Sequence, residues 1–373
     1  MRFDLTEDQE LMRDTARRFL ERDASIAALR NAADAPGPWA RDIWRKACEL
    51  GWAALAAPDD AGGYSLSGGV AQDLSILAEE IGRLAAPGFL IPCGVSLQAL
   101  AQSPEQLQVL AGPILAGDAV VAWAFGERGN RWNSVNFDTE AKLAGDEVVL
   151  NGVKAYVEGG GDAAAFVVTA RGAGGLTQVA VPADHPGVTV TPARSLDLAR
   201  QFAQVAFENV RLPRTALLGE GGGADAAAER QLQLAMLLQC ADTNGALERT
   251  FEFTIAYMGD RHAFGRPIAS YQALKHRLAD LLVQLHSCMA TTDAALEAYD
   301  AGSPEAGRLA RIAKAYVGAR SMKMLGDLVQ LTGGIGVTWE HDLHIYERRC
   351  AINRALFGAP EAHRARIHQM ITA

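Results

Sequence analysis

The sequence contains few of the residues that mark secreted, metal-binding or membrane-spanning proteins. Its five cysteines are an odd number, lie far apart and include no C-x-x-C pair, which argues for reduced thiols and against a disulfide or zinc framework. No uncharged apolar run approaches the roughly 18 residues that a membrane span needs. The first residues carry several charges, unlike a signal peptide. These absences predict a cytoplasmic protein with no metal site and no membrane segment.

Positive charge is also in short supply. The 35 Lys and Arg residues are outnumbered by 44 Asp and Glu, so the formal net charge is −9. Such a chain is poorly suited to binding nucleic acid or an anionic membrane surface. We therefore expect neither as a partner, although a local basic side chain can still bind the phosphates of a small ligand.

The hydrophobic pattern changes twice along the chain and so predicts three domains. Residues 1–117 show helical periodicity, and residues 118–220 show short extended runs separated by turn residues every 8 to 12 positions. The second region fits a small β-barrel or sandwich. Within it, Asn151-Gly152 between apolar runs predicts the turn of a β-hairpin.

Residues 221–373 show four long helical patterns joined by short links, which predicts an antiparallel four-helix bundle. The fourth pattern is interrupted near Gly358-Ala359-Pro360. The second carries one continuous apolar stripe, formed by Tyr271, Leu274, Leu278, Leu281, Leu285 and Met289. The fold class is therefore α+β, with a helical domain, a β domain and a helical bundle in that order.

The link between the first two bundle helices contains more specified chemistry than such a connection needs. Arg261 offers a planar fork of donors suited to a phosphate or pyrophosphate. Phe264 offers an apolar face, and Gly265-Arg266-Pro267 turns the chain. Gln272 follows at the start of the next helix. By itself this pattern is also compatible with an ordinary interhelical loop.

A second motif, Gln330-Leu331-Thr332-Gly333-Gly334-Ile335-Gly336, ends the third bundle helix. Glycine there allows close approach of the backbone to a ligand. Together, the two segments resemble the R-x-x-F-G…Q and Q-x-x-G-G-x-G signatures of the flavin-dependent acyl-CoA dehydrogenases. The resemblance covers nearly the whole chain and implies the domain order given above.

The resemblance implies that FAD is the cofactor and an acyl-CoA thioester the substrate. In the family a carboxylate removes the α-proton, and the flavin accepts a hydride from the β-carbon. Both signatures contact FAD bound mainly by a neighbouring subunit. The resemblance therefore assigns the pyrophosphate to Arg261, a stacking contact to Phe264, and the adenosine end to four residues. These are Gln272, Gln330, Gly333 and Gly334.

The catalytic base of the family is missing at both positions where it is known. Counting twenty-three residues on from Gly334 reaches Phe357, and counting twenty-six residues back from Arg261 reaches Ala235. Neither side chain accepts a proton. Glu361, one helical turn beyond Phe357, is the nearest substitute, although an exposed helix position is its simpler interpretation.

The family's own-subunit flavin contacts are altered as well. The resemblance places Gly126 and Trp132 where the family has a threonine and a serine. Its W-I-T-N segment becomes Tyr156-Val157-Glu158-Gly159, in which Tyr156 can still lie against the flavin ring. Glu158 replaces a hydroxyl donor, and an ionised carboxylate cannot donate a hydrogen bond.

These departures favour the partner subunit of a hetero-oligomeric acyl-CoA dehydrogenase, which contributes FAD-binding residues to a homologous catalytic subunit. An electron-transfer flavoprotein is the acceptor that the resemblance implies. Two alternatives stay open. One is a self-sufficient homo-oligomer in which a residue such as Glu361 is the base, and the other is a non-enzymatic binding member of the family, against which the acidic charge argues.

Overall fold

The computed structural model describes residues 5–34, 36–129, 132 and 137–372. Six helices come first, and Thr6 caps the first of them by exchanging side-chain and backbone hydrogen bonds with Gln9. Their apolar faces pack on one another and on the first strand. The bounds are α1 (Glu7–Asp23), α2 (Ile26–Ala32), α3 (Pro36–Glu49), α4 (Val70–Arg83), α5 (Leu90–Leu100) and α6 (Pro104–Leu115).

Eight strands form one sheet in the order β6-β7-β3-β2-β4-β5-β8, and β1 pairs in parallel with β4. Alternate residues of these strands point into a separate apolar core, because successive side chains of a strand face opposite sides. The bounds are β1 (Val120–Ala124), β2 (Glu140–Ala144), β3 (Glu147–Glu158), β4 (Ala163–Arg171), β5 (Leu176–Pro182), β6 (Val188–Ala193), β7 (Phe202–Pro213) and β8 (Leu217–Leu218).

The hairpin predicted at Asn151-Gly152 is wrong. Both residues lie inside the continuous strand β3, at a shift in its register with β7. The turn falls earlier, at Gly145, which has a φ of 62°. Gly152 is needed for another reason, since a Cβ there would stand 2.5 Å from the Cα of Thr139. A residue without a side chain thus serves close backbone approach at a bulge here.

The C-terminal region contains five helices, because the fourth predicted helix is two. The break comes at Phe357 and Gly358, whose φ angles of 59° and 110° end α10 before Pro360 begins α11. A two-stranded hairpin, β9 (His262–Ala263) and β10 (Arg266–Pro267), connects the first two helices. The helices are α7 (Asp225–Asp260), α8 (Gln272–Asp300), α9 (Ala306–Thr332), α10 (Leu343–Ala355) and α11 (Pro360–Thr372).

The helical, sheet and helical domains follow one another as expected, which confirms the predicted fold class. Within the described ranges, no helix combines the length and the apolar character that crossing a bilayer requires. The sheet domain meets the helices of both flanking domains along the end of β3, the start of β7 and the end of α10.

Candidate functional site

An inner pocket lies where the three domains meet. It brings together all four altered flavin-contact positions and the first of the two expected base positions, although they come from three separate segments. The space left open to a water-sized sphere is about 10 Å³, roughly the room that one water molecule needs. The lining residues are Ile91, Pro92, Trp123, Phe125, Gly126, Trp132, Tyr156, Glu158, Phe202, Leu356 and Phe357.

Aromatic rings fill most of this pocket. Trp123 stacks on Phe125 at 4.5 Å between ring centroids and lies 5.6 Å from Phe357. Trp132 contacts Phe357 edge-on at 5.2 Å and lies against Tyr156 at 5.7 Å, with the two ring planes tilted by 34°. Rings at these separations attract one another beyond their simple burial. The pocket is therefore packed with the chain's own side chains.

Two of these aromatic residues have an unusual backbone. Tyr156 has a φ of 57° and Phe357 a φ of 59°, a region that residues with a side chain rarely adopt and that costs on the order of 1–3 kcal/mol. Such strain often gathers at functional sites. In this chain, the two residues with this backbone conformation both place their rings against Trp132.

Neither expected base position offers a proton acceptor. Phe357 belongs to the aromatic contacts just described, and Ala235 is fully buried in the apolar core along α7. The side chain of Glu361 is 64% exposed and pairs with Arg354 at 3.0 Å on the surface. Among the described residues that line the inner pocket, Glu158 is the single carboxylate.

Glu158 itself is held in an ion pair. Arg200 donates from Nε and Nη2 to the two carboxylate oxygens of Glu158, each at 2.5 Å. Burial alone would lower the pKa of the Arg200 guanidinium, but the charge and the hydrogen bonds of Glu158 outweigh it and raise that pKa. Arg200 also donates to the amide oxygen of Asn353 at 2.5 Å, so it ties β3 to α10.

The pair continues into a buried charged network between the sheet and the helices. Arg349 donates to both oxygens of Asp242, at 3.0 and 2.8 Å, and to Asp197 at 3.3 Å. Asn353 donates to Asp242 at 2.6 Å and so links the two arginines. Because the charges are paired and hydrogen-bonded, their burial is tolerated.

Lys314 completes the charged network. Its ammonium group donates to Gln239 at 2.6 Å and to the backbone oxygen of Asn353. Burial lowers the pKa of Lys314 to about 8. We call the set of six ionisable side chains and Asn353 the charged network. Its members are Glu158, Asp197, Arg200, Asp242, Lys314, Arg349 and Asn353.

The second candidate region is the α7–α8 loop, residues 261–272. Phe264 stands at its tip with 98% of its surface exposed and a φ of 54°. The side chain of Tyr271, and not that of Phe264, holds the loop together. Tyr271 donates a hydrogen bond to the backbone oxygen of Ala263 at 2.9 Å, and the Arg266 guanidinium lies 3.9 Å above the Tyr271 ring. The exposed side chain of Arg261 has no carboxylate partner within the described ranges.

The end of α9 lies beside this loop, because α7, α8 and α9 are consecutive antiparallel helices. The C-terminal end of α9 therefore lies next to the N-terminal end of α8. Arg277 near the start of α8 pairs with Asp327 near the end of α9 at 2.5 Å. Gln330, Gly333 and Gly334 are all exposed there. The two signature segments thus form one outer surface, and none of their residues lines the inner pocket.

Comparison with known proteins fits this geometry. Models of the N-terminal, middle and C-terminal domains of acyl-CoA dehydrogenase match residues 6–117, 122–210 and 221–372. Acyl-CoA dehydrogenase IpdE2 of Mycolicibacterium smegmatis is 31% identical over 97% of this chain and 98% of its own. The chain belongs to the acyl-CoA dehydrogenase family.

Solved structures of family members superpose along the whole chain. The Tcur3481-Tcur3483 steroid ACAD has a TM-score of 0.88 at 26% identity and covers 98% of each chain. A glutaryl-CoA dehydrogenase from Mycobacterium smegmatis in complex with FADH2 has a TM-score of 0.86 at 23% identity, over 99% of this chain and 95% of that one. The family is FAD-dependent and oxidises CH–CH groups.

The two regions fit FAD differently. On the outer surface, Arg261 and Phe264 are free to contact it, and the exposed backbone at Gly333 and Gly334 is open to close approach. A flavin ring does not fit the inner pocket, where about 10 Å³ is open and Arg200 is bound to Glu158. The expected contact of Tyr156 with a flavin ring stays a prediction, because 42% of the surface of that residue is exposed.

Sequence reasoning singled out only Glu158 of the charged network and missed its other members. Arg200 pairs with Glu158 across 42 positions and Arg349 with Asp242 across 107. The one available signal was Glu158 itself, since a carboxylate predicted to be buried needs a cation nearby. Trp123 and Phe125 gave no signal, because aromatic residues in a β-rich run are typical of any core.

Proposed function

We propose that this chain is the partner subunit of a hetero-oligomeric acyl-CoA dehydrogenase. It contributes FAD-binding residues from its outer surface to a homologous catalytic subunit, which supplies the base and the substrate pocket. The reaction of the complex is α,β-dehydrogenation of an acyl-CoA thioester, and an electron-transfer flavoprotein takes up the electrons.

The observation that carries this proposal is the contrast between the two regions. Phe264 is almost fully exposed at the tip of a loop held by the contacts of Tyr271, and we assign its apolar face to contact with another molecule. Arg261 beside it suits a pyrophosphate, which its planar fork can bind through two parallel hydrogen bonds. In the inner pocket, by contrast, Phe357 stands where a carboxylate is needed.

The apolar stripe of α8 supports a subunit interface at the same end of the bundle. Its second half, from Leu281 to Met289, is buried within the chain, whereas Leu274 and Leu278 are only half-buried. Val283 is 66% exposed. A helix whose apolar surface is left partly uncovered is accounted for when a second subunit packs on it.

A relative supports the choice of a bulky acyl group for the complex. The structurally similar Tcur3481-Tcur3483 protein is described as a steroid ACAD, and a steroid is polycyclic. We therefore propose a thioester with a large, polycyclic acyl group. The self-sufficient alternative is weakened by Glu361, which lies on the surface in a pair with Arg354.

The experiment is expression of this chain alone, of a homologous dehydrogenase subunit from the same source alone, and of both together. Each preparation is assayed with straight, branched and polycyclic acyl-CoA thioesters and an artificial electron acceptor. We expect turnover from the pair and none from this chain. Turnover by this chain alone would refute the proposal, as would a failure of the two chains to associate.

A further inference from the structure

We propose that the inner pocket of this chain is closed to flavin by the charged network and the aromatic rings, so that the chain holds no flavin in its own subunit. The inference deepens the proposed function and rests on it for the partner subunit. It concerns a different set of residues from those of the α7–α8 loop.

Two independent kinds of side chain close the pocket. Trp132 lies between Tyr156 and Phe357, at 5.7 and 5.2 Å from their centroids, and so takes the space beside both rings. On the side of the pocket away from Trp132, Glu158 and Ile91 also line a second cavity of about 20 Å³. Arg200, Asp242 and Arg349 are further lining residues of that cavity. Neither cavity has room for more than one or two water molecules.

The closure is also an electrostatic one. Displacing Arg200 from Glu158 leaves two nearly buried charges unpaired, and each unpaired ion costs several kcal/mol in a protein interior. Moving Arg200 also breaks its bond to Asn353, which is itself bonded to Asp242. A flavin ring that enters the inner pocket beside Glu158 therefore has to break a connected set of hydrogen bonds.

The charged network joins the sheet domain to the helices. Arg200 connects Glu158 on β3 to Asn353 on α10, and Arg349 on α10 reaches Asp197 in the segment before β7. Three carboxylates and three cations are combined, so the junction carries no net charge when all six are ionised. The domains are thus joined without a ligand.

The test uses the complete hetero-oligomer, stripped of flavin and reconstituted with FAD. Hydrogen exchange is measured by mass spectrometry with and without FAD, and bound flavin is counted against each subunit. We expect FAD to slow exchange in residues 261–272 of this chain but not in residues 156–159 or 197–201. We expect bound flavin to equal the amount of catalytic subunit only.

The partner subunit supplies the internal control, because the segment corresponding to residues 156–159 must be protected there by FAD. Protection of residues 156–159 in this chain, or flavin equal to the total of both subunits, would overturn the inference. Protection absent from residues 261–272 would instead refute the proposed contribution to the partner's site. The two failures are therefore distinguishable in one experiment.

Discussion

Arg200 binds both carboxylate oxygens of Glu158 in a pair whose side chains are only 3% and 12% exposed. Paired charges in such a place are hard to separate, since removing one partner leaves the other buried without compensation. This relationship decides how the sheet domain is attached to the helices. It also leads to the first prediction.

We expect Glu158→Gln to lower the free energy of unfolding by about 3–5 kcal/mol, because it leaves the Arg200 guanidinium buried and unpaired. The double variant Glu158→Gln/Arg200→Met should recover part of that loss. Denaturant unfolding of the single and double variants measures both. The matched control is Glu147→Gln, which breaks the exposed pair with Arg211 and should cost less than about 1 kcal/mol. Equal losses in Glu158→Gln and Glu147→Gln would contradict the prediction.

The second prediction concerns assembly. We expect the chain to be an obligate oligomer, because among the described residues the side chains of Arg261 and Phe264 have no partner that explains them. Sedimentation should detect no stable monomer, and Phe264→Ser should weaken association by removing a large apolar contact. Arg308→Ala, near the start of α9, is the control. A stable monomer that carries a full complement of flavin is the result that counts against this view.

The third prediction tests the contact with phosphate. Arg261→Ala in this chain should weaken FAD binding by the complex by about 2–3 kcal/mol, since a bidentate charged contact is lost. That corresponds to about a 30- to 150-fold increase in the dissociation constant. Fluorescence titration of the flavin-free complex measures it. Unchanged affinity would remove Arg261 from the site, whereas Arg308→Ala should leave the affinity as it was.

The fourth prediction is that Glu361→Gln leaves the turnover of the complex unchanged. The α-proton of a thioester needs a positioned base, whose loss typically costs 10²–10⁴-fold, but Glu361 lies on the surface beside Arg354. An electron-acceptor assay on this chain alone should give no dehydrogenation. Turnover above about 1 s⁻¹ that disappears in Glu361→Gln would make Glu361 the base.

The fifth prediction concerns acid stability. Burial, followed by the charges of Lys314 and Arg311, lowers the pKa of His363 from 6.5 to about 3. The unfolded chain therefore binds a proton below about pH 6.5 that the folded chain does not, and stability falls as the pH drops towards 3. The slope approaches about 1.4 kcal/mol per pH unit.

The variant His363→Gln removes the contribution of His363 to the pH dependence of the unfolding free energy. This holds even when the variant is itself more or less stable than the wild type. We expect the difference in unfolding free energy, wild type minus variant, to decrease by that slope between pH 6 and pH 4. Denaturant unfolding at several pH values measures it. A difference that stays constant with pH would show that His363 takes no part.

The domain order followed from local patterns, but the packing of the inner pocket did not. Hydrophobic periodicity and the Gly358-Ala359-Pro360 break predicted the domain order and the end of α10, because both depend on near neighbours in the sequence. The hairpin prediction at Asn151-Gly152 failed where a tertiary contact, with Thr139, required the glycine instead. Local propensity cannot register such a contact.

The candidate site likewise contains one part that local sequence predicts and one part that depends on tertiary packing. The signature segments could be recognised in the sequence because their residues are close together, and the expectation that Phe357 stands in place of a base came from counting. The partner of Glu158 could not be found by counting along the sequence. Arg200 reaches Glu158, and Arg349 reaches Asp242, only because the sheet packs on the helices. Whether a pocket is filled depends on side-chain volumes from several segments at once.

The ligand-independent junction at Arg200 has a consequence for biosynthesis. A subunit whose domains are joined by its own ion pairs needs no cofactor to complete its folding, so its production is independent of the supply of riboflavin-derived compounds. In the proposed hetero-oligomer, a shortage of flavin then limits the flavin-bearing subunit and not this chain.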